Sequence, residues 1–522
     1  MPRHEHPRHL RRGIATLALL ALATPAAAPA QQAGLEAARS HRQAHGSAIL
    51  EEYAELLRIP NVAADSVNIR RNAAWIRAAL AARGVDARLL TLPGAPPVVY
   101  GELRAPGASR TLILYVHYDG QPVDTARWTT SPWEPALYSA SLEDGGRPIP
   151  FPAAGEPIDP EWRIYARSAG DDKAPIAALL AALDGLRAAG VAPTSNLKFF
   201  FEGEEEAGSP SLLRFLESYP DEAEGDAWLF LDGPVHQSRA PQLFFGVRGY
   251  SGLDVTVYGA NRYLHSGHYG NWAPNPALML SRLLASMKDE DGHVRVAGFY
   301  DSVEPLDAAA RAAVAAYPDF DAALRRELGL ARSEAEPASY IERMLIPSLN
   351  IRGMESASVG ATVRNIVPTT ATASIDVRLV KGNDPDAMLD RVEAHIRGQG
   401  YHIVREEPDA ATRLAHPKIA RVVRSADYPA ARTAMDLPIA RSVIAAARAA
   451  SPEPLVLTPT LGGSLPLYYF TDLLSKPMVG VPIANHDNNQ HAPDENLRLA
   501  NLWYGIDLMG ALMTMAPEPP TP

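Results

Sequence analysis

Five short segments carry residue types that can hold metal ions or move protons: His117-Tyr118-Asp119, Gly170-Asp171-Asp172-Lys173, the acidic run Glu202-Gly203-Glu204-Glu205-Glu206, Asp232, and the polar stretch 485–491 ending in His491. Each alone has an ordinary explanation. An Asp pair just before a helix makes favourable dipole contacts. An acidic run reads as a solvated loop, which is where Glu204 is expected, and a lone His is more often hydrogen-bonded filler than a ligand. Their joint order carries more weight. Several carboxylates and a pair of imidazoles gathered in one place repel unless cations sit among them, because crowded carboxylates cannot all stay ionised. Two divalent cations would neutralise such a cluster. The chain has no cysteine, so a thiolate ligand and a cysteine nucleophile are excluded, and any metal must be held by His, Asp and Glu.

Periodicity places these segments at strand ends. Residues 111–116, 196–201 and 228–231 read as strands, with a helix over 175–189 between the first two and another opening at Ser209-Pro210 before the third. Upstream, Ile49, Tyr53, Leu56 and Leu57 mark a helical face stopped by Pro60, and Ile69, Ala73, Ile76 and Leu80 mark another that ends at Gly84. Strands alternating with helices imply parallel pairing with helices on both faces. Ligands bind such a sheet beyond the carboxyl ends of its strands. The rhythm changes after about Gly246: strand 253–258, helix 276–287, strands 349–351 and 373–380, a helix 384–397 capped by Asp384 with Pro385 at its first position, and strand 401–405. That order is βαββαβ, the ferredoxin-like arrangement. Beyond His416 the helix-strand alternation returns, with 439–449, 455–457, 478–481 and a last helix over 496–515. The expected fold is therefore an α/β catalytic domain with a mostly parallel sheet, in two parts at 31–246 and 409–522, interrupted by an α+β domain at 247–408.

At this point the chain resembles a family. His117-Tyr118-Asp119, Asp171-Asp172-Lys173, Glu202 through Ser209, Asp232, Leu264-His265-Ser266-Gly267, the stretch 365–378, Gly462-Gly463-Ser464 and His491 have the order and approximate spacing of the co-catalytic dinuclear zinc peptidases, peptidase family M20. Carnosinases, bacterial dipeptidases, aminoacylases and succinyl-diaminopimelate desuccinylase belong to it. The resemblance covers about residues 45–515. It implies two divalent ions, zinc first with manganese or cobalt as alternatives. Asp171 would bridge them, with His117 and Asp232 completing one site and Glu206 and His491 the other. It further implies that Asp119 orients His117 and that water held between the ions is the nucleophile, with Glu205 as general base. His265 would reach across a homodimer interface in the inserted domain to stabilise the oxyanion. Asn365, Gly463 and Ser464 would touch substrate. In strand 373–380, Ile375, Val377 and Leu379 alternate with Ser374, Asp376 and Arg378, which puts Arg378 on the polar face, suited to a substrate carboxylate. Ala174 stands where the family usually has glycine, and the Gly- and Pro-rich stretch 139–163 is longer than usual, expected at the mouth of the sheet edge where it would reshape access.

The chain has 522 residues, 49 Lys plus Arg against 60 Asp plus Glu, a net charge of −11 and 47% apolar residues. That composition is of a large globular protein of two or more domains, and the acidity argues against wrapping nucleic acid. Residues 1–30 read as an export signal: Arg3, Arg8, Arg11 and Arg12, an apolar run over 14–23 too short to span a membrane, and Ala28-Pro29-Ala30 as a cleavage pattern. The mature chain would carry −14 and be periplasmic or secreted, with no membrane attachment. The expected activity is metal-dependent hydrolysis of small peptides, of dipeptidase or carboxypeptidase type. The alternatives are an N-acyl amino-acid deacylase with the same chemistry and a non-catalytic peptide-binding protein, against which Glu205 stands.

Overall fold

The computed structural model describes residues 29–425 and 427–516, so the proposed export signal lies, except for residues 29 and 30, outside the described residues. The larger sheet has eight strands in the order Asp86–Leu90, Val98–Leu103, Asn196–Glu202, Thr111–His117, Ala227–Phe230, Met478–Gly480, Gln242–Phe244 and Val456–Thr458. Its four central strands, from Asn196–Glu202 to Met478–Gly480, are mutually parallel. These strands are apolar on both faces because both are covered. Leu114, Val116, Phe199, Phe201 and Leu229 pack with the helices Pro29–Leu57, Ser66–Ala82, Lys173–Ala189, Pro438–Ala450 and Leu499–Met513. The alternate residues Ile113, Tyr115, Phe200, Trp228 and Phe230 pack with the helix Leu212–Ser218 and with Phe470 on the other side. The period of two along each strand thus divides one sheet between two cores.

The second sheet runs Ser348–Glu355, Thr370–Leu379, Gly246–Tyr258, Ile419–Arg424, His402–Val404. One face is buried: Leu253, Val255, Val257, Ile375 and Val377 meet Leu280 and Leu283 of helix Pro276–Met287 and Leu389, Val392 and Ile396 of helix Pro385–Gly398. Asp384 caps the latter helix as its sequence indicates, accepting from the Ala387 N–H at 2.8 Å. Glu393 ties this helix to the sheet, receiving Arg405 at 2.8 Å and Arg424 at 2.9 Å.

Two sequence expectations need correcting. Strand Ile419–Arg424 lies between the first and last strands of the ferredoxin-like order, pairing with Gly246–Tyr258 and with His402–Val404, so the second sheet extends past residue 408. Its sequence, Ile419-Ala420-Arg421-Val422-Val423-Arg424, has no period of two that would mark it as a strand. Residues 496–498 form a strand paired with Arg163–Tyr165, and the last helix starts only at Leu499. The stretch 139–163 carries strand Pro148–Ile149 of the same small sheet, which is ordered Asn496–Arg498, Arg163–Tyr165, Ala136–Tyr138, Pro148–Ile149.

Gly480 ends the central strand Met478–Gly480 directly under the Phe244 ring, which an added Cβ would overlap. Gly480→Ala is expected to lower unfolding stability by about 1–3 kcal/mol through overpacking; a denaturation curve superimposing on that of the wild type would contradict the packing described.

Candidate metal centre

The carboxyl ends of the four central strands lead to His117, Glu205 with Glu206, Asp232 and the His491 loop, and the loop between strand Arg163–Tyr165 of the small sheet and helix Lys173–Ala189 adds Asp171 and Asp172. His117 closes the first of the central strands in sequence and is 1% exposed, and its Nε2 lies 2.9 Å from Asp171 Oδ1 and 3.9 Å from Asp232 Oδ2. Asp171 Oδ2 is 3.0 Å from His491 Nε2, which is also 3.1 Å from Glu206 Oε2. The two oxygens of Asp171 therefore face two different histidines. Donor atoms fall into two compact groups, His117 with Asp172 and Asp232, and Asp171 with Glu206 and His491, each within 4.8 Å. Such spacings suit cations bound through short bonds to imidazole and carboxylate.

Most of these candidate ligands are held from behind. Asp119, fully buried, has its Oδ1 3.4 Å from His117 Nδ1 and accepts the backbone N–H groups of Glu205 at 3.0 Å and Glu206 at 3.1 Å. One carboxylate thus positions residues from two strands. Asp172 occupies the N-cap position of helix Lys173–Ala189 without making a side-chain cap bond, and instead accepts from the His117 N–H at 3.3 Å. The ordinary reading of the Asp pair as a helix cap does not hold for it. Lys173 is fully buried and donates to the carbonyls of Leu56 at 2.9 Å and Ile59 at 3.0 Å, where helix Pro29–Leu57 ends and its dipole is negative. The His491 loop follows strand Met478–Gly480; Arg163 braces it through Asp487 at 2.6 Å, and His491 itself has φ 61°, a conformation that costs energy for a non-glycine residue.

Sequence reasoning missed several of these contributors. Glu495, fully buried, accepts the Gly170 and Asp171 N–H groups at 2.9 Å each with one oxygen, and Ser168 N–H and Arg167 with the other. Nothing in its spacing marks it. Asp172 joins the ligand groups, and Gln121 donates to Glu206 at 2.8 Å. Glu204 is buried, not solvated, and accepts the Ser211 N–H at 2.8 Å.

Electrostatics show that the cluster is short of positive charge. Burial, reinforced by the charge of Asp171, pushes Asp232 up to about 7, and burial drives Asp172 and Glu205 well above the carboxylate range. Asp171 goes the other way: burial opposes it, but hydrogen bonds from His117 and His491 hold it low. His491 is raised to about 10 by Asp171 and Glu206, and His117 rises against its own burial because Glu205, Asp119 and Asp171 surround it. Among the described residues no Lys or Arg pairs with Asp171, Asp172, Glu205, Glu206 or Asp232. Divalent cations are the neutralising charge this donor set fits.

The cluster floors a cavity of about 500 Å³, a size suited to a small ligand. Gly463 and Ser464 line it together with an aromatic wall of Tyr428, Tyr468, Tyr469 and Phe244. Arg378 stands one layer back, bonded to Asp376 at 3.1 Å and stacked on Tyr250, whose backbone pairs with Tyr428. His265 and Asn365 are outside the cavity, neighbours of each other where the Ser266 N–H donates to the Asn365 carbonyl at 3.0 Å. The stretch 139–163 does not line it either, and acts instead on the His491 loop through Arg163.

The chain matches the family model described as Peptidase family M20/M25/M40 over residues 113–515. It is 27% identical over 432 residues to the human Beta-Ala-His dipeptidase, covering 80% of this chain and 76% of that protein. It is 26% identical over 440 residues to the Cys-Gly metallodipeptidase of Saccharomyces cerevisiae, covering 81% and 83%. The fold is shared with the M20 family metallo-carboxypeptidase of Sulfolobus solfataricus, with a TM-score of 0.70 at 24% identity over 90% of this chain and 98% of that one. The family match takes in the ends of all four central strands and the second sheet between them, and on that extent the chain belongs to peptidase family M20/M25/M40 and is a metallopeptidase.

Proposed function

We propose that this enzyme hydrolyses the peptide bond of dipeptides and other small peptides, with Glu205 as general base. The observation that carries the reading is the place of Glu205. Its carboxylate lies 3.7 Å from His117 Nε2 among the ligands, is pushed up by burial, and belongs to neither donor group, so it remains available to take and return a proton. The names of the human and yeast relatives support the dipeptide class. Asp171 would bridge two cations, one completed by His117 and Asp232 with Asp172 in reach, the other by Glu206 and His491. When bound, two such ions polarise a carbonyl and lower the pKa of a water. Zinc is the ion proposed, since two-histidine, carboxylate donor sets suit it; manganese and cobalt are the competitors.

The chain's own residues do the rest. Asp119 fixes the Glu205-Glu206 backbone, so that base and ligand move as a unit. Ser464 and Gly463 would border the substrate, and Arg378, one layer behind Tyr428 in this chain, would meet the substrate carboxylate only if Tyr428 moves aside. His265 would act from a second chain. Around it Trp272 is 80% exposed, Val359 86% and Val363 65%, an apolar surface that a homodimer would cover. Export through residues 1–30 is proposed on the sequence pattern alone.

Glu205→Gln is expected to retain two ions per chain by elemental analysis while kcat for a dipeptide falls by about a hundredfold or more; unchanged turnover would remove Glu205 from the chemistry. Glu495→Gln weakens the support of Asp171 and is expected to lower metal affinity by about 10–100-fold with little change in the folded fraction, and wild-type affinity by equilibrium dialysis would contradict the bracing role. Fractionation of expressing cells should yield a particle of two chains, each beginning near residue 31, in the exported fraction; a cytoplasmic monomer would refute both the export and the dimer.

A further inference from the structure

A second cavity, of about 480 Å³, lies behind the wall of the first, between the short helices Asp321–Glu327 and Tyr340–Met344 and the start of strand Gly246–Tyr258. Its partition is thin. Gly462 belongs to the strand Leu461–Ser464 that borders the metal cavity, and a Cβ there would lie 3.1 Å from Met344 Sδ, on the side of the second cavity.

The charge of this cavity is unusual for an acidic protein. Five cationic residues line it, Arg248, Lys288, Arg325, Arg332 and Arg343, against two acids, Asp321 and Glu334. Three of the cations are answered: Lys288 holds Glu334 at 2.5 Å, Arg325 lies 3.5 Å from Glu336, and Arg332 lies 3.9 Å from Asp291. Asp321 is engaged by the Tyr340 N–H at 3.0 Å. Arg248 and Arg343 form no ion pair among the described residues; the carboxylate whose charge reaches Arg248, Asp376, is already bonded to Arg378 at 3.1 Å and Asn350 at 2.9 Å. Arg248 is only 4% exposed and donates to the Ile346 carbonyl at 2.8 Å and Ser348 Oγ at 3.0 Å, both neutral, while its Nε–H has no partner and one terminal nitrogen meets only Met344 Sδ at 3.9 Å. The side chain of Arg343 forms no hydrogen bond or ion pair with any described residue. A buried guanidinium that shares its only nearby carboxylate and leaves its Nε–H unbonded is costly, and a planar oxyanion is the group its fork can grip.

The remaining wall is apolar. Val294 and Leu349 are buried at its base, and Leu324, Leu328 and Leu330 surround the opening. We propose that this cavity binds an aliphatic monocarboxylate, its carboxylate on Arg248 and Arg343 and its hydrocarbon chain along Leu324, Val294 and Leu349. The inference does not rest on the peptidase chemistry proposed above, since none of these residues belongs to the metal centre.

Octanoate is the probe, titrated calorimetrically into the full metal-loaded protein, with acetate and octan-1-ol as controls for charge and chain. One octanoate per chain is expected, with acetate and octan-1-ol weaker by about tenfold or more, as the loss of a charge-assisted pair or of apolar burial implies. Arg343→Gln should weaken octanoate by a similar factor, and Leu324→Trp, which fills the cavity without touching a charge, should abolish it. Binding should survive removal of the metal by a chelator. Loss of binding on chelation would place the carboxylate on the metal centre and overturn the proposal. So would the absence of binding, or full-strength binding in both variants.

Discussion

Six carboxylates and two imidazoles at one sheet edge impose a constraint that the rest of the molecule answers. Asp119, Asp171, Asp172, Glu205, Glu206 and Asp232 are gathered with His117 and His491, and no lysine or arginine among the described residues pairs with the five that form or border the ligand groups. Left to the protein alone, burial and mutual repulsion push Asp172, Glu205 and Asp232 upward, and the surrounding carboxylates push both histidines upward. Divalent cations resolve that conflict while returning the imidazoles to their neutral, ligating form. The acidic centre is therefore a demand for metal written in protein charge.

Holding such a cluster together requires rigidity, and the structure supplies it in layers. Four parallel strands with both faces covered fix the four takeoff points, and a shell of buried polar groups then fixes the loops. Asp119 joins the His117 and Glu205 segments, and Glu495 with Arg167 clamps the backbone of the Asp171 loop. Lys173, anchored on the last carbonyls of a long helix, pins the start of the helix that follows that loop. Even the small four-stranded sheet contributes, because Arg163 on one of its inner strands steadies the loop that ends in His491. Remote elements that look decorative in sequence thus bear on ligand geometry.

How much of this was legible in the sequence follows from range of interaction. The central strands, the helix over 173–189 and the capped helix at 385–398 are local patterns, and they stand within a few residues of where periodicity puts them. His117, Glu206, Asp232 and His491 were legible as chemistry-bearing residues because topology dictates that strand ends converge, while their assignment as candidate ligands came from the family resemblance. What was hidden is long-range. Glu495 acts across more than 300 residues of chain on Asp171, and strand Ile419–Arg424 reveals its membership of the second sheet only by pairing. Glu204 looked solvated because its neighbours are acidic, whereas its partner, the Ser211 N–H, becomes available only when the loop turns back.

The central claim is that Asp171 joins two cation sites of distinct composition. Anomalous-scattering diffraction from crystals of the metal-loaded protein tests it most directly. Two peaks are expected, both against Asp171, one flanked by His117 and Asp232 and the other by Glu206 and His491. A single peak, or two peaks that do not share Asp171, would contradict the account.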